Sequence, residues 1–361
     1  MSRTFKSFLM SLALTALAMS GARADAGTTP AAMPSAGITR WIDLQEATLR
    51  GRYLFVKGSN GAINASQFQH GEALQGRLKL DRQANYTIHA GVFPGNHFIA
   101  GWNNSGWGRG EGSSNLYLKR LYFSAKPVKG LEAQYGGIGF LRGAASDITT
   151  YSGDGFLMGE RLRLTRPDRL FFDEIAVTYG YLGDVERANI NRRFHRLKRS
   201  NYHQFLVGKN IGRRAAVSVD YTFAGGADTT RQAVRIHTPE LRVIDSFRFE
   251  NYQRMNARAA YGFAAYGEKA VHQRWSLGGG FATIDPNYGG LNADRFVEGK
   301  RWFLTSGLRL HQELMLSLFV TRAVSNPFPV SDQTHFDLAL SYDLLKALSK
   351  EGSLRRMAAR K

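Results

Sequence analysis

Three short stretches of the chain carry basic residues two positions apart: Arg50 and Arg52, Arg77 and Lys79, Arg161 and Arg163. In an extended backbone that spacing puts both side chains of each pair on one face. A guanidinium offers carboxylate or phosphate a rigid fork of N–H donors, and an ammonium offers a point charge. A wall of such groups lowers the energy of small anions beside it and repels cations. Arg258 and Arg309 fall on the polar sides of later stretches of the same kind. The same residues also suit a plainer role, neutralising carboxylates of the same wall, with Asp81, Asp220, Asp337 and Asp343 as partners. Both roles fit the pattern.

Other chemistry finds little footing. Cys is absent, which removes thiolate metal sites and disulfides, and no metal-ligand spacing appears, so no metal or cofactor is expected. Gly108-Arg109-Gly110 lacks the strand-to-helix setting of a nucleotide site. A lipid-modifying enzyme would need His and Ser together with a group that orients the imidazole. His89, His203, His237 and His335 lie in strand-like stretches, but none is joined by a recognisable Ser-containing motif, so the chain reads as no enzyme.

The charge balance of 48 basic against 29 acidic residues, +19, suggests an anionic partner. Inside a cell that partner would be nucleic acid. The first residues point elsewhere. Arg3 and Lys6, an apolar run from Phe8 to Met19 and Ala22-Arg23-Ala24 make the basic, apolar and small-residue order of a secretory signal, with cleavage expected after Ala24. The run is shorter than the roughly 20 residues of a spanning helix. An exported basic protein meets phosphorylated lipopolysaccharide and small anions, and no nucleic acid. Residues 25–45 read as a periplasmic leader rich in Ala, Gly, Thr and Pro.

From there onward, stretches of about ten residues alternate apolar with polar. In 74–81, Leu74, Leu78 and Leu80 oppose Gln75, Arg77, Lys79 and Asp81; 336–344 and 215–223 repeat the arrangement. Strands are expected near 47–57, 72–81, 85–93, 115–126, 130–140, 155–166, 171–182 and 200–211, then 214–223, 231–238, 241–249, 256–268, 272–284, 299–310, 313–322 and 334–344. Glu160 breaks the rule by falling on the apolar side, between Met158 and Leu162. Connections alternate short (82–84, 127–129, 167–170, 212–213, 311–312) with long (58–71, 94–114, 141–154, 183–199, 285–298). Tight turns on one rim and long loops on the other are the mark of a transmembrane barrel. A ring of this size cannot be filled by side chains, so its apolar faces must look outward. The expected fold is therefore all-β: a transmembrane antiparallel β-barrel over residues 46–344, of about sixteen strands, with fourteen as the alternative count.

By this pattern, over nearly the whole mature chain, the architecture resembles the general bacterial porins. Asp337, Ala339, Tyr342 and Leu344 resemble the C-terminal targeting signal of outer-membrane barrels, although a basic tail, 345–361, follows where that family usually ends on an aromatic residue. The resemblance implies passive diffusion of small hydrophilic solutes, and the basic wall an anion preference. It also implies that the third external loop, 141–154, folds inward, with Arg142, Asp147 and Asp154 at a constriction. The cluster Arg192, Arg193, Arg196, Lys198 and Arg199, around Phe194 and His195, would dock lipopolysaccharide phosphates or simply be solvated. Trp102, Asn103, Asn104 and Trp107 have the chemistry to grip sugars, in a loop that could equally be mobile. Expected partners are outer-membrane lipid and lipopolysaccharide, small hydrophilic and anionic solutes, the barrel-assembly machinery, and a homo-trimer as the self-associated form. The competing role is a barrel serving structure, assembly or lipid modification.

Overall fold

Along Ala215–Ala224 side chains alternate between two environments: Ala216, Ser218, Asp220 and Thr222 are buried, while Val219 and Tyr221 are exposed. The polar members are inside and the apolar ones outside. The same inversion recurs on other strands, with Arg52, Gln69, Arg161, Glu250 and Asp337 buried and Leu49, Tyr53, Phe68, Phe205, Phe249 and Trp302 exposed, while Tyr252, Ala264, Ile284, Phe303 and Phe319 form an apolar patch on the inner side. It is the arrangement of a barrel whose outer surface meets lipid.

The computed structural model describes residues 41–93, 95–96, 117–146, 148–149, 156–165, 171–182, 200–238, 240–256, 260–285, 296, 298–325 and 332–348. The strands are β1 (Ile42–Gly58), β2 (Ile63–Lys79), β3 (Tyr86–Phe93), β4 (Tyr117–Val128), β5 (Leu131–Gly139), β6 (Phe156–Thr165), β7 (Glu174–Tyr181) and β8 (Tyr202–Ile211). The second half comprises β9 (Ala215–Ala224), β10 (Ala227–His237), β11 (Ser246–Arg254), β12 (Ala260–His272), β13 (Trp275–Ile284), β14 (Gly299–Arg309), β15 (Leu314–Ser325) and β16 (Gln333–Asp343). Gly95–Asn96 prolongs the line of β3, Gly95 facing Gly71 of β2. Every strand pairs antiparallel with its sequence neighbours, and β1 also pairs with β16, from Thr48 opposite Asp343 to Gly58 opposite Gln333. The sheet closes on itself as a sixteen-stranded antiparallel barrel. Closure leaves no free edge.

The two rims differ less regularly than expected. Segment 58–71, expected as a long loop, is mostly strand: β1 and β2 each run 17 residues and are joined by a tight turn. Gly58 N–H donates to Ala62 O (2.8 Å), and Asn60 Oδ1 accepts from Ala62 N–H (3.0 Å). Asn64, Ser66, Gln67 and Gln69 put polar groups on both faces of β2, which erases the apolar alternation while leaving the backbone ladder intact. On the same rim Gly225 and Gly226, with φ of 57° and 95°, close β9 on β10 in a two-residue hairpin.

Glu160 is exposed on the outer face, with Tyr135 and Tyr179 opposite it on the flanking strands. Past β16, residues 344–348 form a helical turn whose Lys346 N–H donates to Asp343 Oδ1 (3.1 Å), so the basic tail begins as a capped helix. Residues 1–40, which hold the expected signal and most of the expected leader, and residues 349–361 lie outside the described residues.

Candidate functional site

Between β5 and β6 the chain leaves the wall and enters the barrel. Leu141 O accepts from Gln204 Nε2 on β8 (2.8 Å), and Ala144 N–H donates to Ser218 Oγ on β9 (2.9 Å). Ser146 N–H donates to Glu250 Oε1 on β11 (2.7 Å), and the Thr149 hydroxyl donates to the other oxygen of that carboxylate. Arg231 Nη1 on β10 donates to Thr149 O (2.6 Å). Apolar contacts follow the same line: Ala144 and Ala145 pack with Ala216 and Ala233, while Ile148 joins a cluster that includes Tyr252, Ala264, Ile284, Phe303 and Phe319.

Sequence explains the close approach. Gly143 has φ +59°, and a Cβ there would lie 2.7 Å from Ser218 Cβ, so only glycine lets the loop rest on β9. The two small alanines that follow bring the backbone within hydrogen-bond reach of the wall. Two buried charges then hold it. Arg231 clasps Asp220 with Nε to Oδ2 (3.0 Å) and Nη2 to Oδ1 (2.7 Å), leaving Nη1 for the loop. Glu250, fully withdrawn from water, has its carboxylate satisfied by the loop itself. A buried carboxylate deprived of such donors is costly, which makes the docked loop the stable arrangement. The described residues of this connection, 141–146 and 148–149, thus lie against the inner wall, while the expected constriction residues Asp147 and Asp154 lie outside the described residues. Arg142 is half-buried at its start, with Arg142 O accepting from Ala145 N–H (3.1 Å).

Most of the basic residues singled out by spacing are paired with carboxylates. Arg50 Nη2 lies 3.0 Å from Glu46 Oε1. Asp43 binds both Arg77 (2.8 Å) and Lys79 (2.9 Å). Arg163 Nε donates to Glu174 Oε1 (2.7 Å). Arg52, buried, donates from Nε to Gln69 Oε1 (2.9 Å) and lies 3.5 Å from Asp337, tying β1 to β2 and to β16. Arg309 is exposed at the short-turn end of β14. Arg161 differs: buried, it donates to Thr178 Oγ1 (3.0 Å), Gln134 Oε1 (3.2 Å) and Gly139 O (2.6 Å), neutral acceptors all.

Of the carboxylates expected as partners, Asp337 pairs with Arg52, Asp220 with Arg231 and Asp343 with Lys346, whereas Asp81 accepts from Tyr86 N–H. Asp43, Glu46 and Glu174 were not legible as partners. A bulge between Leu44 and Glu46 resets the alternation, so an odd-numbered and an even-numbered carboxylate both face inward. Glu250 sits on the polar side of an alternating stretch, yet nothing in its neighbourhood signals the loop it receives.

Triad-like geometry is absent among the described residues. His335 Nε2 lies 2.9 Å from Asp337 Oδ1, but no serine or threonine hydroxyl is bonded to its ring. Ser200 Oγ lies 3.4 Å from His203 Nε2, yet that ring packs between Tyr179 and Phe223, with no carboxylate to orient it. No group of three or more metal-ligating side chains occurs among the described residues. Arg258, Asp147, Asp154, Trp102, Asn103, Asn104, Trp107 and the cluster Arg192, Arg193, Arg196, Lys198 and Arg199 lie outside the described residues.

No family model and no curated protein matches this sequence. Among solved structures the chain is similar to engineered variants of the porin of Rhodopseudomonas blastica. One triple variant has 11% identity and a TM-score of 0.52, with 84% of this chain and 99% of that one covered. A second, carrying two introduced tryptophans, has 10% identity and a TM-score of 0.52 over the same shares. At such identity the shared property is the fold, and the fold of this chain is the porin-like sixteen-stranded β-barrel.

Proposed function

We propose that this protein is an outer-membrane, porin-like channel through which small hydrophilic solutes diffuse, with a preference for anions. The observation that carries the reading is the loop pinned inside a barrel with a polar inner wall and an apolar outer face. Residues 141–146 and 148–149 are bonded to the inner wall at Gln204, Ser218, Arg231 and Glu250, a placement that suits a constriction. The outward band of Leu49, Tyr53, Phe205, Phe249 and Trp302 suits hydrocarbon. Porins among its structural neighbours support the same reading.

Anion preference rests on fewer groups than the basic spacing suggested. Arg50, Arg52 and Arg163 each face a carboxylate and Arg77 and Lys79 share Asp43, so these five cations exceed their carboxylate partners by one charge. Arg161, with neutral acceptors only, keeps its field, and a charge in a partly desolvated wall acts strongly on a nearby ion.

Conductance in planar bilayers across a salt gradient tests the proposal. The expected result is a reversal potential favouring chloride that shrinks in Arg161→Gln. A folded, heat-modifiable barrel that passes no current overturns the channel reading.

A further inference from the structure

Arg235 of β10 and Arg248 of β11 are register partners, directly opposite across the two strands. Both belong to the inward set, two positions beyond Ala233 and two before Glu250, and those two residues are buried against or bonded to the loop. The pair therefore sits one step below the loop, toward the short-turn rim. Directly opposed side chains start from Cβ atoms only about 5 Å apart, and like charges so placed repel.

Among the described residues no carboxylate pairs with either guanidinium to relieve that repulsion. The Nε of each arginine is buried and makes no hydrogen bond, and neither residue forms an ion pair among the described residues. Glu250, the nearest carboxylate along β11, is consumed by Ser146 and Thr149. Glu268 of β12, diagonal to Arg248, accepts from Ser246 Oγ (3.2 Å). The contrast with Arg231 is direct: four positions earlier on β10, that arginine has a carboxylate of its own. Tyr266, opposite Arg248 on β12, lies with its ring centroid 5.3 Å from the guanidinium carbon and holds one face of it. Ala216, opposite Arg235 on β9, supplies no bulk to close the space.

We propose that Arg235 and Arg248 form a binding site for a small oxyanion, one presenting two or more acceptor oxygens as phosphate does, on the inner wall beneath the loop. Such an anion accepts from the outer N–H groups of both guanidinium forks at once and cancels the like-charge repulsion. The site rests on the channel reading only in that its ligand arrives through the barrel interior.

Titration of inorganic phosphate into the folded, full-length protein in detergent, followed by calorimetry, tests the site without requiring current. Saturable binding is expected, weakened at least about tenfold in Arg235→Gln/Arg248→Gln. Each single Gln variant is expected to show a partial loss, which keeps the test usable where the double variant does not fold. Arg242→Gln, which removes an exposed charge in the β10–β11 turn, is expected to leave binding unchanged. Chloride, a single acceptor centre, should bind at least about tenfold more weakly than phosphate. Absence of saturable phosphate binding, or equal binding by native and Gln variants, overturns the site. Absence of bilayer conductance bears on the channel reading alone and leaves the calorimetric result standing.

Discussion

Glu250 shows how a single buried charge can organise a loop. Its two oxygens accept from Ser146 N–H and the Thr149 hydroxyl, and the side chain is fully withdrawn from solvent. Glu250→Gln keeps the volume but turns one acceptor into a donor, which should destabilise the barrel by about 1–3 kcal/mol and free the loop. Single-channel conductance is expected to rise and become noisier, and an unchanged conductance would show that the loop does not limit the pore. Gly143→Val should act at the same contact through backbone and clash together, because its φ is left-handed and Ser218 occupies the place of the new side chain. Two carboxylates in turns set an acid limit. The backbone N–H of Asn210, with Lys209 beside it, holds Asp173 below the usual carboxylate range, and Lys269, with the Ala270 N–H, does so for Asp245. A depressed folded pKa contributes stability that is complete above the unfolded value, near 4, and fades as pH falls through the folded one. Thermal melting should therefore weaken below about pH 4, and Asp173→Asn with Asp245→Asn should flatten that dependence. At this scale the arginine pairs were legible because a period of two is a property of neighbours. Their partners Asp43 and Glu46 were not, since the bulge that turns both inward depends on pairing with β2.

The strands themselves were readable wherever one face is oily and the other wet, as in β9 and β16. Segment 63–71 escaped because its register on β1 is fixed by backbone hydrogen bonds and not by an apolar stripe. The inward loop was expected only from the family resemblance; its anchors come from four strands that are distant in sequence, beyond any local pattern. The hairpin at Gly225–Gly226 has a local cause. Both residues occupy left-handed backbone, where each alanine costs about 1 kcal/mol. Gly225→Ala with Gly226→Ala should lower the temperature at which the barrel shifts its electrophoretic mobility, and an unchanged shift would mean that the turn adapts without loss.

Across the whole molecule, the joint between β1 and β16 decides whether a barrel exists at all. Arg52 links β1, Gln69 of β2 and Asp337 of β16 inside the wall at that joint. Deleting residues 333–361 exposes unpaired edges on β1 and β15, which lipid cannot satisfy. Such a chain should yield no heat-modifiable species on refolding, and a folded product would mean that β1 can close on β15. Replacing Arg52 with Leu keeps the strands but removes the arginine charge beside the buried Asp337, at about 3 kcal/mol. The overall architecture was legible because closure follows from strand number and inverted polarity together; the uneven long-loop rim was not, since turn length there is set by which strands grow past the expected border.

The Gly225–Gly226 hairpin also offers a handle for engineering. Asp220 and Arg231 on its two arms are the pair that leaves Arg231 Nη1 free to grip Thr149. A peptide tag spliced between the two glycines would sit at the rim while its arms hold the loop in the bore. Capture of that tag by an antibody then tugs on the clasp, and the event becomes readable as a step in ionic current.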